Sequence, residues 1–436
     1  MTTSYELPEV DLSHPDSCIR LASAVHRFKL PIINPDRKVS FAQAFRTTGT
    51  NSKTRKVMIK ADEMRKKLKE SISTDKVSHE RVVADAKRYQ PLINQILLSC
   101  KVQPEMAMLD ERLVFDWSSG LQIQTQQNKK KKILKTFQSE AMMYDFVMCL
   151  ICEGIGKAGV ATETSMAGEF AAANREYAAA AGIFECLAND HLPKWKSRGA
   201  QVDDNDLPVE CNIEVAKGLN MLFKANGQQM AVTTVLIKPG TPNYSLLAKL
   251  CLGVQEQLEG FIMHMRDNAF RQMSRIEKDF FTLIAFQTQL YKGLTYYFHA
   301  RSLWDAGEYG LAIAMLSDAT VTVRTRTTEV SEGLPDVAKV QALLPLIRDL
   351  EDLRKHLAFL LKTWEKDNSE CYFDVVPTSV PLEKKLEKGV QIGKSEAYRI
   401  KDPEPLLLSL PEDALKRSDS DLARELQEKF DAELKD

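Results

Sequence analysis

The residues that could do chemistry are few and scattered. Gly154-Ile155-Gly156-Lys157-Ala158-Gly159 has the letters of a G-x-G-x-x-G phosphate loop. It interrupts a helical apolar pattern instead of joining a strand to a helix, the geometry that aims backbone amides at a pyrophosphate, so nucleotide binding is not expected there. Cys149 and Cys152 form a lone C-x-x-C, whereas metal or redox use would need a second ligand pair or a βαβ frame. Buried helix packing accounts better for both. The seven histidines contain no H-E-x-x-H and no H-x₃₋₅-H pair, and His299, beside Tyr296, Tyr297 and Phe298, reads as a core histidine. The acidic residues form no carboxylate dyad. The expectation is a protein that is not an enzyme, with no catalytic residue, metal ligand, cofactor or small-molecule substrate.

Composition narrows the remaining classes. The chain has 436 residues, 44% of them apolar and spread evenly, which permits one extended helical body. Lys and Arg number 59 against 60 Asp and Glu, so the chain as a whole lacks the cationic field of a nucleic-acid binder. Eight scattered cysteines suit reduced, buried thiols and a cytoplasmic compartment better than a disulfide framework. No signal peptide or transmembrane helix is legible, and Thr2 stands where N-myristoylation would need a glycine. The chain ends Ala432-Glu433-Leu434-Lys435-Asp436, without a prenylation box.

The elements that would position a site follow from periodicity. Residues 1–45 read as an irregular lead-in with a short helix near 18–28. Val57, Ala61, Met64, Leu68 and Ile72 then recur every three or four residues as one apolar helix stripe, and a second helix follows at about 78–98. Leu113-Val114-Phe115-Asp116-Trp117, Leu121 and Ile123 mark a small β element within 108–124, and 124–132 reads as an exposed polar loop. Ala-rich helices fill 136–194, a polar loop covers 197–205, and a helix runs over 209–236. Lys238-Pro239-Gly240-Thr241-Pro242 interrupts before another helix starts near Asn243 or Tyr244. Long helices are expected over 267–306, 309–331 and 335–365. Ala300, Gly307, Tyr309, Ala312, Ile313, Leu316 and Ala319 have the spacing of one tetratricopeptide helix pair. Lys129, Lys130, Lys131, Lys132 and Lys135, with the cluster Arg65, Lys66, Lys67 and Lys69, could face an anionic leaflet. Asp402-Pro403-Glu404-Pro405-Leu406-Leu407 fits an acidic dileucine signal by letter and is read as tail sequence.

Several landmarks carry a family resemblance. Lys366-Asp367-Asn368-Ser369-Glu370-Cys371-Tyr372-Phe373-Asp374-Val375-Val376-Pro377, directly after a long periodic helix, resembles the segment that closes the BRO domain of the Alix and BROX type. Leu113 to Trp117 is similar to the extended segment before the helical core of that family, and 139–159, with Tyr144, is similar to the helix that follows. Ala180-Ala181-Gly182-Ile183-Phe184-Glu185-Cys186-Leu187 and Asp190-His191-Leu192-Pro193-Lys194 resemble the BROX-like, BRO-domain-only members most closely. The resemblance implies a mainly all-α, boomerang-shaped BRO domain over 46–377, an elongated antiparallel helix solenoid with a TPR-like core. It leaves a tail over 378–436 with a short helix near 421–434. It further implies an adaptor for endosomal sorting that binds the C-terminal amphipathic helix of an ESCRT-III subunit on its concave face, with peripheral membrane contact at endosomes. Carried over by motif, the contact residues are Met230, Leu246 and Leu250. Leu246 and Leu250 stand at i and i+4, one face of one helix, as a partner helix requires. A TPR-like scaffold for an unrelated cargo or signalling partner remains the alternative, and an enzyme with a dispersed active site would need converging ionisable groups in a deep pocket.

Overall fold

Apolar spacing of three and four residues closes into helix along most of the chain, and the computed structural model of the protein is mainly α-helical. It describes residues 14–73, 77–128, 131–196, 203–326 and 333–409. In chain order come α1 (Asp16–Ala22), α2 (Phe41–Ala44), α3 (Ser52–Ile72) and α4 (His79–Val102), then strands β1 (Phe115–Trp117), β2 (Thr125–Asn128), β3 (Lys131–Leu134) and β4 (Phe137–Ser139). Helices α5 (Met142–Met166), α6 (Phe170–Cys186), α7 (Leu192–Lys196), α8 (Ile213–Leu236) and α9 (Tyr244–Asn268) follow. The last are α10 (Phe270–Met273), α11 (Lys278–Asp305), α12 (Tyr309–Val323) and α13 (Ile347–Asp367). The chain divides into two compact units, one of Met1–Phe28, Ala158–Glu185 and Glu214–Glu396, the other of Lys29–Lys157, Cys186–Ile213 and Ala397–Asp436.

The first unit is seated on small residues. Ala300 of α11 and Ala312, Leu316 and Ala319 of α12 are fully buried, so the two helices approach closely, and Gly307 takes the left-handed backbone (φ 80°) that turns one into the other. The expected helix at 18–28 stops at Ala22, because His26 and Phe28 leave it to pack edge-on against Phe280. The helix expected over 267–306 starts at Lys278 instead, since Ala269 (φ −129°, ψ 29°) and Glu277 (φ −57°, ψ 131°) leave the helical backbone and set off α10. Arg324 is extended and ends α12 at Val323, short of the expected 331, with 327–332 outside the described residues. The stretch 337–346 forms 3₁₀ turns before α13, where Pro345 has no amide to donate.

The closing signature is a helix terminus held by one side chain. Asn368 accepts the Phe373 amide on its carbonyl (2.7 Å), accepts the Asp374 amide on Oδ1 (3.0 Å) and donates Nδ2 to the Asp374 carbonyl (2.9 Å). This holds Phe373 at φ 56°, rare for a bulky residue. Tyr372 stacks on Tyr309, and Trp364 stacks on Trp304 at 4.3 Å between ring centroids, fastening α13 to the α11–α12 pair.

In the second unit, the stripe on α3 keeps Ala61, Leu68 and Ile72 of the one read from apolar letters but takes Met58 and Arg65 in place of Val57 and Met64. Met58, Ala61, Arg65, Leu68 and Ile72 are buried, while Val57 and Met64 are half-buried. Arg65 is therefore not a surface cation. Its guanidinium bonds both Asp145 carboxylate oxygens (2.9–3.3 Å), and Asp145 also accepts the Trp117 indole N–H (2.7 Å) and the Tyr89 hydroxyl. A buried charge persists only when paired and hydrogen-bonded in this way. Strand β1 pairs antiparallel with β4, and β2 with β3. The stretch read as a polar loop over 124–132 thus includes β2 and the start of β3; a polar sequence does not prevent a ladder whose bonds are made by the backbone.

Candidate partner-binding site

Helices α8 and α9 run antiparallel in the first unit. Gly218 faces Met265 and Phe261, and the Gln228 side chain donates Nε2 to the Leu250 carbonyl (3.0 Å). Asn243 caps α9 by accepting the Leu246 amide on its side chain (2.9 Å), which places the helix start after the Pro-Gly-Thr-Pro break. The three residues carried over by motif do not share one environment. Leu246 is 41% exposed, Leu250 is 4% exposed and Met230 is fully buried. Leu250 and Met230 are core residues, because their positions on α9 and α8 turn toward the interior of the pair; the open apolar stripe drawn through Leu246 and Leu250 is not present.

The face beside Leu246 is occupied by the chain's own later residues. His299 donates Nε2–H to the Lys384 carbonyl (2.8 Å), and Lys384 pairs with Glu308 (2.7 Å). The Val390 amide then donates to the Lys249 carbonyl (2.9 Å), the Gly389 amide to Glu256 (2.9 Å), and Gln228 bridges by donating to the Val390 carbonyl (2.7 Å) and accepting the Ile392 amide (3.0 Å). Farther on, Asn220 donates to Ser395 (2.9 Å) and the Glu396 amide to the Ala178 carbonyl (2.9 Å). Residues 384–396 therefore form an extended strap across α9, α8 and α6.

The sequence Gly389-Val390-Gln391-Ile392-Gly393 explains why the strap lies so close. A Cβ on Gly393 would stand 2.5 Å from the Lys224 carbonyl oxygen, and one on Gly389 would collide with the backbone at Gly253. Residues two apart share a side in an extended chain, so the glycines face the helices while Val390 (37% exposed) and Ile392 (44% exposed) face outward. Leu246 lies one turn before Lys249, whose carbonyl accepts the Val390 amide, so the exposed Leu246 stands on the α9 face that meets the strap carrying Val390 and Ile392. Motif transfer from α8 and α9 missed the latter two; two glycines flanking alternating β-branched residues was the available signal.

The remaining candidates separate clearly. Lys129 and Lys130 lie outside the described residues, Lys131 and Lys132 are in β3, and Lys135 is exposed with its ammonium 5.6 Å from the Phe137 ring centre. Residues 154–159 lie inside α5, where Gly156 packs against Val83. Burial raises the thiols of Cys149 and Cys152 well above their ordinary range, which makes them poor nucleophiles. Among the described residues no group of three or more His, Cys, Asp or Glu could hold a metal ion, and no helix is long and apolar enough to cross a membrane.

A family profile described as BRO1-like domain matches residues 39–419. The chain belongs to the BRO1-like domain family. The vacuolar protein-sorting protein BRO1 of Kluyveromyces lactis is 22% identical over 301 residues, covering 68% of this chain, which spans only 33% of that protein's length. An ALIX BRO1 domain in complex with CHMP4C aligns with a TM-score of 0.62 at 15% identity, over 86% of this chain and 96% of the matched one. ALIX in complex with the SIVmac239 PYKEVTEDL late domain aligns at 0.64 with 14% identity, over 89% of this chain and 50% of the other. At such identities these structures establish a shared fold.

Proposed function

We propose that this BRO1-like protein is a non-catalytic adaptor in ESCRT-linked endosomal sorting that docks the C-terminal amphipathic helix of an ESCRT-III subunit. The observation that carries the reading is the exposure of Leu246 on α9 and of Val390 and Ile392 on the strap bonded across α8 and α9. An amphipathic helix buries its apolar face on exposed apolar side chains of this kind. The family relation supports the partner class, since one structural relative is an ALIX BRO1 domain bound to CHMP4C. Of the residues first assigned to the contact, Leu246 keeps a direct role; Leu250 and Met230 support the frame from beneath. Burying three such side chains contributes about 1.5–3 kcal/mol each before association costs, so micromolar is the tightest affinity expected from this contact alone.

The test is a titration of an ESCRT-III C-terminal helix peptide against the full chain and its Leu246→Asp and Ile392→Asp variants. Each variant is expected to weaken binding about tenfold or more with an unchanged melting temperature. Equal affinities would remove this surface from the site, and no binding by the unmodified chain would remove the function.

A further inference from the structure

A second surface lies on the other unit, in the groove between α3 and α4. A cavity of about 440 Å³ opens there, lined by Lys60, Met64, Lys67 and Arg88. Lys60 and Lys67 are exposed and have no carboxylate partner among the described residues, whereas their neighbour Lys66 pairs with Glu70 (3.9 Å). Arg88 is steadied by Asp85 at 3.2 Å, one turn earlier on α4, with most of its side chain still open to solvent. Lys53 and Lys56 continue the row at helical spacing toward the start of α3. From residue 52 to 102 the chain has 13 Lys and Arg against 6 Asp and Glu, net +7, in a protein whose total is −1. Positive charge is thus concentrated on one stretch of the chain, and Lys60 and Lys67 line one hollow together with the Asp85-paired Arg88.

We infer that this groove is a binding site for a compact, multiply phosphorylated inositol headgroup. Lys60 and Lys67 are seven residues apart, about 10 Å along the helix, and Arg88 comes from the facing helix, so three cations line the hollow, as a ligand with phosphates at several corners would require. Ammonium groups serve as point charges for phosphate and a guanidinium adds a forked donor. The half-buried Met64 lies on α3 between the two lysines and offers an apolar surface for the ring face. The cavity is in the size range of small-molecule sites, and three cations around one open hollow suit a compact polyanion better than a linear one. The ligand's source is a membrane lipid or a soluble inositol phosphate, which present the same chemistry. This inference does not depend on the adaptor reading, because it uses neither α8, α9 nor the strap.

The experiment uses the full chain, with inositol hexakisphosphate in a calorimetric titration and phosphatidylcholine vesicles carrying a phosphatidylinositol bisphosphate in flotation. Saturable one-to-one binding is expected, weakened about tenfold or more in K60E/K67E and unchanged in K355E/K362E, which makes the same charge change at the same spacing on α13. Vesicle capture that the soluble probe reverses identifies a lipid headgroup; capture of the soluble probe alone identifies a free inositol phosphate. The inference is overturned if K60E/K67E binds like the unmodified chain, if K355E/K362E loses as much, if phosphatidylserine vesicles of matched charge capture the protein equally, or if mixed-sequence single-stranded RNA binds the groove more tightly than the inositol probe.

Discussion

The α8–α9 face and the α3–α4 groove are both surfaces of an antiparallel helix pair, yet one is covered by a distant stretch of the same chain and the other stays open. Residues 384–396 fill the first with backbone hydrogen bonds and leave apolar side chains outside. The second keeps Lys60 and Lys67 uncovered while Arg65, on the same helix, is sealed inside against Asp145. Whether a helix face becomes core or site is decided by what arrives to cover it, and that partner lies far away in sequence.

The comparison breaks most readily at the sealed side of α3. Asp145→Ala would strand the Arg65 charge in the interior and is expected to cost about 3–5 kcal/mol, read as a large fall in melting temperature, while Lys67→Glu on the outer face should change stability by less than ~0.5 kcal/mol. Comparable losses from both would show that α3 has no inner and outer side of the kind described.

A middle-sized effect is expected at the covered face. Gly393→Val forces a side chain against the Lys224 carbonyl and should cost about 1–3 kcal/mol by lifting the strap. It should also weaken the helix peptide as Ile392→Asp does, without altering inositol hexakisphosphate binding at the other surface. Loss of both ligands in the same titrations would mean that the two surfaces are not independent.

The smallest effect sharpens the picture of the segment that follows. In the second unit the Tyr398 hydroxyl donates to the buried Glu153 carboxylate (2.7 Å), and burial holds Glu153 above the ordinary glutamate value of 4.5 despite that bond and the nearby Lys87 and Lys157. The folded state therefore binds this proton more tightly than the unfolded chain does. Stability should fall as pH rises from 4.5 through the raised value, and the penalty is fully present above it. Glu153→Gln keeps an acceptor for Tyr398 and removes the charge, so its denaturation midpoint should vary less with pH across that window. An unchanged pH profile would assign the dependence to other groups.

Helices with clean periodicity are legible in the sequence. The tetratricopeptide-like spacing from Ala300 to Ala319 is the α11–α12 pair, and Asn243 marks the start of α9. The stripe on α3 is legible at Ala61, Leu68 and Ile72 but not at Arg65, whose polar letter hides a burial made tolerable by Asp145, which Tyr89 and Trp117 also bond, all remote in sequence. The site is harder to read. Motif transfer locates α8 and α9 but does not tell Leu246 from Leu250, since both satisfy helical spacing and exposure depends on neighbours. Val390 and Ile392 escape notice because an extended strap has no 3.6-residue period. The dileucine-like letters at Leu406 and Leu407 read as tail, yet the Leu406 amide donates to Ser99 (2.7 Å) and Gln103 donates to the Leu406 carbonyl (2.7 Å). The helix expected at 421–434 lies outside the described residues.

The bond between Leu406 and Ser99 joins positions 307 residues apart. On a ribosome extending the nascent chain at ~5–20 residues per second, α4 would wait on the order of 15–60 s for the stretch that finishes its surface. Throughout that interval the α4 surface that Leu406 covers in the folded protein stands without it, so a newly made molecule exposes apolar surface that a finished one does not.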